Sequence, residues 1–200
     1  MSSNATKFTE PAADLSQPIS QPSISQPSLD TQANYQASED NLAALAAALS
    51  AGDLKRQLQA LREVKALEAG ASAEQEAVLA SFVRDRMSSQ NPDEPTAAHG
   101  SAYQLLYRGA SEAAKSLIEA FPHGLVCPQS DRGVDYSDLQ MLLVKQAYQA
   151  ADKLTNQKLC ELAGESAMER KWVYFTEVSQ FPVIDLQAMD VIWSLYSEGK

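Results

Sequence analysis

Apolar residues recur at steps of three and four along most of this chain, a period that argues for helices and against strands. Leu42, Leu45, Ala46 and Leu49 open the pattern inside an Ala-dense stretch, and Ala is the strongest helix former. Gly52 is suited to a left-handed cap, and Asp53 can cap a second helix. The stripe of that helix is Leu54, Leu58, Leu61, Val64 and Leu67. A third helix starts at Ser72, with Glu74 and Glu76 in its first turn, where the helix dipole favours acids. Tyr103, Leu106, Tyr107, Ala110, Ala114, Leu117, Ile118 and Phe121 make one or two more, ended by Pro122 and Gly124. No stretch of residues 39–122 alternates as a half-buried strand does. The expected fold class is all-α, beginning with an accessory helical bundle over 39–122.

The flanks read differently. Residues 1–38 repeat Ser-Gln-Pro at Ser16, Ser20 and Ser25 and hold few large apolar side chains. Such a stretch cannot bury enough surface to offset its ordering entropy, so a disordered tail is expected there. After a loop at 122–133, Leu139, Leu142, Leu143, Gln146 or Ala147, Ala150 and Leu154 resume the helical period. Thr155 to Leu162 reads as a further short helix ended by Gly164, and Leu186, Met189, Ile192, Trp193 and Tyr196 restore the spacing near the end. Between them, WVYFTEVSQFP crowds Trp172, Tyr174, Phe175 and Phe181 into ten residues. With no partner strand in sight, a loop packed by its own aromatics is the expectation.

Charge narrows the function. The 16 Lys and Arg against 26 Asp and Glu give a net charge of -10. General nucleic-acid binding needs the opposite sign, and so does polybasic attachment to anionic lipid. No apolar run approaches the roughly 20 residues of a membrane-spanning helix. The first residues lack the basic start and apolar stretch of a secretory signal. Cys127 and Cys160 form no metal or redox motif, which fits a reduced, cytoplasmic setting.

Catalytic constellations are missing: there is no nucleophile elbow, phosphate-binding glycine loop or HExxH. His99 and His123 read as loop residues, and Cys127 with His123 is too small a set for a metal. The expectation is therefore no catalytic residue, no metal and no cofactor. The aromatic segment has two readings. It is either the core of a small helical unit or a platform for a flat apolar molecule on an irregular loop. Arg170 and Lys171 directly precede it, either as a solvated helix end or as a dock for an anionic group.

Several ordered pieces of the chain point to a family. DYSDLQMLL holds Asp135, Tyr136, Leu139, Leu142 and Leu143, and Ala151, Asp152 and Thr155 follow. Trp172 then precedes FPVIDL, with Phe181, Pro182, Asp185 and Leu186, before Asp190, Trp193, Tyr196, Ser197 and Gly199. This set resembles the porphyrin-binding domain of the genomes-uncoupled-four family, regulators of magnesium chelatase in oxygenic phototrophs. The resemblance implies that residues 134–200 are all-helical and belong to a porphyrin groove. It implies protoporphyrin IX and Mg-protoporphyrin IX as ligands, with stimulation of magnesium chelatase through its large porphyrin-binding subunit and no catalysis by the chain itself. Phe175 and Val178 are the expected wall residues, with Trp172, Tyr174 and Phe181 next and Arg170 and Lys171 as the nearby cations; Trp193 is expected in the core. The setting implied is the cytoplasm of a cyanobacterium, with peripheral thylakoid association, or else a chloroplast stroma.

In the family, a Phe-Gly-Phe-Ser-Val-Gln stretch and further helices follow and supply the opposite wall; this sequence ends at Lys200 before them. An incomplete domain is therefore expected. A porphyrin of roughly 40 heavy atoms at ~0.3 kcal/mol each has a ceiling near -12 kcal/mol. Half of that corresponds to tens of micromolar, so weak or no binding is expected. Two other classes stay open. One is a helical interaction scaffold in which the aromatic loop is core or a partner hot spot. The other is a haem-binding sensor with His123 or His99 as axial ligand.

Overall fold

The computed structural model describes residues 29–88 and 94–197, with side chains from Ser38 onward. Every regular element among them is a helix. In chain order these are α1 (Leu29–Ser50), α2 (Leu54–Lys65), α3 (Ala73–Met87), α4 (Ala97–Tyr107), α5 (Glu112–Ala120), α6 (Ser137–Val144), α7 (Tyr148–Ala163), α8 (Glu165–Arg170), α9 (Phe175–Val178) and α10 (Val183–Tyr196). Among the described residues no helix is long and apolar enough to cross a membrane.

The expected caps are in place. Gly52 takes φ +68° after α1, and the Asp53 carboxylate accepts the Lys55 N–H at 3.1 Å. Ser72 and Gln75 form a reciprocal capping box at the start of α3. Two boundaries differ from expectation. First, α1 starts at Leu29 rather than near Glu39, so the end of the expected tail, Leu29–Ser38, is helical. No Pro follows Pro27 in this stretch, and a helix nucleated on its packed end propagates at one hydrogen bond per residue. Residues 1–28 lie outside the described part. Second, the break falls at 145–147 and not at Thr155. Gln146 adopts φ +59° there, and the Gln146 and Ala147 N–H groups close α6 on the Leu143 and Leu142 carbonyls. The apolar period runs straight through this break.

One helix organises the rest. α4 packs against α2, α3, α5, α6 and α10, and eight of its eleven residues are buried. A helix covered on all sides needs small residues where backbones meet, and Ala98, Gly100, Ser101 and Ala102 supply them. A β-carbon on Gly100 would lie 2.0 Å from the Leu195 carbonyl oxygen, so α4 and α10 touch backbone to backbone. Gln104, fully buried beside this contact, donates to the Leu143 and Tyr196 carbonyls, both at 2.9 Å. Its own oxygen accepts from Gln146 Nε2 at 3.0 Å, so the buried amide is satisfied. One buried cluster therefore runs from Leu45, Leu79 and Leu106 to Leu139, Leu143 and Ile192, across both helical regions.

The loop between them is fastened from within. Gln140 Nε2 donates to the His123 and Val126 carbonyls, and the Tyr196 hydroxyl accepts the Leu125 N–H at 2.8 Å. His99 also serves the fold. Its Nδ1 accepts the Thr96 N–H at 3.1 Å, and its ring stacks on Phe82 with centroids 4.3 Å apart. Burial, aided by the Arg86 charge, lowers its pKa to about 4.

Two outcomes follow from this packing. Gly100→Ala forces α4 and α10 apart and should destabilise the chain by about 3 kcal/mol, read as a drop in urea midpoint. His99 stays neutral in the folded chain while the unfolded chain takes a proton below pH 6.5. Stability is therefore lost as pH falls from 6.5 towards 4, at ~1.4 kcal/mol per pH unit. Urea unfolding at pH 7 and pH 5 should differ by about 2 kcal/mol more in wild type than in His99→Gln, which keeps an acceptor for the Thr96 N–H.

Candidate functional site

Gly164, at φ +105°, ends α7 and starts α8 in a single residue. α8 runs only to Arg170, where Lys171 turns the chain in the left-handed conformation at φ +64°. Arg170 then becomes the centre of a small cluster. Its Nη2 meets both Glu177 oxygens at 2.9 Å, and its guanidinium lies 4.5 Å from the Tyr174 ring centroid and 5.2 Å from that of Trp172. Trp172 and Tyr174 meet edge to face at 4.2 Å. Glu177 also accepts the Tyr174 N–H at 2.8 Å, which caps α9. That N–H first, and Arg170 second, hold the Glu177 carboxyl below its ordinary pKa. The expected loop thus contains a one-turn helix clamped by an ion pair.

The clamp leaves two apolar side chains with nothing over them. Phe175 is 87% exposed and Val178, three residues on along α9, is 50% exposed. Trp172 and Tyr174 are half exposed beside them, each with one face towards Arg170. Phe181 is different. It is only 8% exposed and belongs to the core, so it anchors the segment instead of offering a face to a ligand. Pro182 follows it at the start of α10, where a missing N–H is harmless. Arg170 is likewise not a free cation, because Glu177 already holds it. Lys171 is exposed and rims a groove of about 400 Å³ between α7 and α8. Trp193 stands at the edge of the core, half-buried, with its Nε1 donating to Thr155 Oγ1 at 3.0 Å.

Three buried or bridging groups hold this segment on the scaffold. Asp185, with no exposed surface, accepts from the Ser130 hydroxyl, from the Asp131 N–H at 3.0 Å and from the Tyr136 hydroxyl at 2.8 Å. Burial, and then the bond to Asp185, raises the Tyr136 phenol above its usual pKa. Arg132 donates to the Leu162 carbonyl at the end of α7 and to the Gln180 carbonyl at 3.0 Å. A cation on a helix C-terminus is favourable, and here it ties the end of α7 to the far end of the aromatic segment. Sequence reasoning did not single out Arg132; an Arg between Asp131 and Gly133 in a loop carries no local signal.

Residues 129–200 match the family model described as GUN4-like, a span that takes in Asp185, its partners and the whole aromatic segment. Residues 129–200 form a GUN4-like domain. The chain is 35% identical over 162 residues to a Ycf53-like protein of Synechocystis sp., covering 80% of this chain and 66% of that one. It is 45% identical over 97 residues to the uncharacterized protein ycf53 of Porphyra purpurea, covering 48% and 41%. A chloroplastic tetrapyrrole-binding protein of Arabidopsis thaliana is 39% identical over 62 residues, covering 31% of this chain and 23% of that protein. The chain thus spans about two thirds or less of each relative's length.

The ordered residues of the GUN4-like domain now have physical roles. Tyr136 and Asp185 make the buried bond that joins the start of α6 to α10. Ala151 is fully buried in α7, and Thr155 passes the Trp193 hydrogen bond on to the Ala151 carbonyl at 2.9 Å. These residues position the aromatic segment from beneath. Of the two histidines, His99 has its Nδ1 and one ring face already occupied. Among the described residues no three His, Cys, Asp or Glu side chains gather as metal ligands.

Glu177→Gln should loosen the wall while sparing the core. In a Trp193→Phe background, acrylamide quenching of Trp172 is expected to rise about twofold with Tm within ~2 °C of the parent, since this part-buried pair lies outside the hydrophobic core. Unchanged quenching would mean that the aromatic cluster holds α9 without the ion pair.

Proposed function

We propose that this chain is a tetrapyrrole-binding regulatory protein that holds its ligand against Phe175 and Val178. The observation that carries this reading is a rigidly clamped α9 that leaves its two apolar side chains uncovered inside a GUN4-like domain. Exposed apolar groups on a well-fastened loop are how a preformed site keeps the ordering cost of binding low. The tetrapyrrole-binding name of the Arabidopsis relative supports the same ligand class. Within it, protoporphyrin IX and Mg-protoporphyrin IX are the ligands we favour. The finer role is to present or release them at the large subunit of magnesium chelatase, by contact and without a covalent step. The place of action would be the cytoplasm, with the thylakoid surface nearby, or a plastid stroma. A haem-sensor reading gains nothing from His99, which is neutral and bonded in the fold.

The test is a protoporphyrin IX titration that follows quenching of Trp172 and Trp193. One uncovered wall is worth about half the ceiling for a ligand of this size, so saturation in the tens of micromolar is expected. Phe175→Ala should weaken binding about tenfold without lowering Tm, because Phe175 buries almost nothing in the free chain. If neither this chain nor a folded chain extended to the length of its relatives shows saturable quenching, the reading is overturned and a protein-interaction scaffold is left.

A further inference from the structure

A small cavity lies between α2 and α4, and no residue of the aromatic segment lines it. Its volume is about 10 Å³, room for one water-sized group. Leucine side chains of both helices form its sides, and Arg62, Lys65 and Arg108 stand at its exposed rim. None of its lining residues is an acid, which is unusual in a chain of net charge -10.

At the inner end is Ser101 of α4. It is 5% exposed, and its hydroxyl has no hydrogen-bond partner. A helical Ser can bond the carbonyl one turn back, and a buried hydroxyl left without a partner is destabilising. Close packing of α4 asks only for a small side chain here, which Ala would supply. The rim cations have an ordinary role as well: Arg62 and Lys65 lie in the last turn of α2, and Arg108 caps α4, where helix dipoles favour positive charge. That role does not call for a hydroxyl buried between them. Arg62 makes no ion pair or hydrogen bond among the described residues. Of the five N–H donors of a guanidinium, Arg108 uses one Nη2 bond, to Gln146 Oε1 at 2.8 Å. Gln146 and Gln104 carry that bond on to the Leu143 and Tyr196 carbonyls, at the ends of α6 and α10.

We propose that this cavity is a phosphate site: Ser101 donates to one phosphate oxygen inside, and Arg62 and Arg108 hold the remaining oxygens at the mouth. The inner space fits a single oxygen, and two guanidinium forks match a tetrahedral group of charge about -2 better than a carboxylate or a halide. The occupant is inorganic phosphate or the phosphate of a small monoester. Bound there, it joins the outer end of the hydrogen-bond chain that runs from Arg108 into the GUN4-like domain. The site is independent of the tetrapyrrole reading.

Thermal unfolding of the whole chain tests it, in inorganic phosphate and in glycerol 3-phosphate at neutral pH, with sodium chloride holding the ionic strength constant. Tm should rise by about 5 °C once phosphate reaches about twenty times a Kd of about 1 mM. In S101A and R62Q the rise should fall below ~2 °C. Without phosphate, R62Q should unfold within ~1 °C of wild type, and S101A at the same temperature or higher, because it removes an unmet buried hydroxyl. Loss of the phosphate response without loss of stability separates a binding role from a structural one. A rise with both anions assigns a site open to monoesters, and a rise with inorganic phosphate alone assigns the free anion. If both variants gain as much as wild type, the rise is general stabilisation by an excluded salt and the site falls. If Tm does not respond at all, the cavity takes water only and the site falls too.

Discussion

At Gly100 the backbone of α4 lies on the Leu195 carbonyl of α10, closer than any side chain permits. From that contact the site can be traced outward. It fixes α10, and α10 carries Asp185 into the core beneath the 130–136 segment. Asp185 orders that segment, which aims Arg132 at the carbonyls of Leu162 and Gln180. Those two carbonyls bracket the aromatic loop. The first helical region is therefore not an appendage to the GUN4-like domain. Its α4 is the surface on which α10 is seated, and Gln104 binds the ends of both α6 and α10 to it.

That arrangement explains how Phe175 and Val178 can remain uncovered. A loop with two exposed apolar side chains gains nothing by itself from order, and free in solution it would bury them on any available surface. Here order is imposed from below by Phe181 in the core and from the side by the Arg170–Glu177 pair. Trp172 and Tyr174 spend one face each on the guanidinium, which keeps them from collapsing over α9. The two side chains that α9 presents are therefore ordered before anything meets them, which keeps the entropy cost of a contact there low.

Sequence reached a good part of this, and the exceptions have physical causes. The Gly52-Asp53 cap and the helix start at Ser72 are local chemistry, so they were legible; the Gln75 half of the box at Ser72 was not read. The break at Gln146 was not, because its left-handed turn is stabilised by Gln104 and Arg108, about forty residues away. Phe181 reads as one more aromatic in a cluster; only the tertiary structure separates the one that is buried from those that are not. The partner of Arg170 lies seven residues on, across a turn whose geometry depends on Lys171. Contacts within a turn of helix were readable, and contacts made across a loop were not.

Charge is the remaining constraint on the site. A chain of -10 repels a dicarboxylate at long range, which argues against an anionic ligand if the whole protein is counted. At physiological salt, however, a charge is screened beyond ~8 Å, so acids on distant helices contribute little at the wall. Within the aromatic segment itself, Glu177 turns both oxygens to Arg170. Pairing Glu177 within the loop occupies a carboxylate two residues from Phe175, at the expense of Arg170, one of the two cations that sequence placed there. The ion pair therefore does two jobs. It clamps α9 in place, and it offsets the carboxylate that lies nearest to Phe175 in sequence.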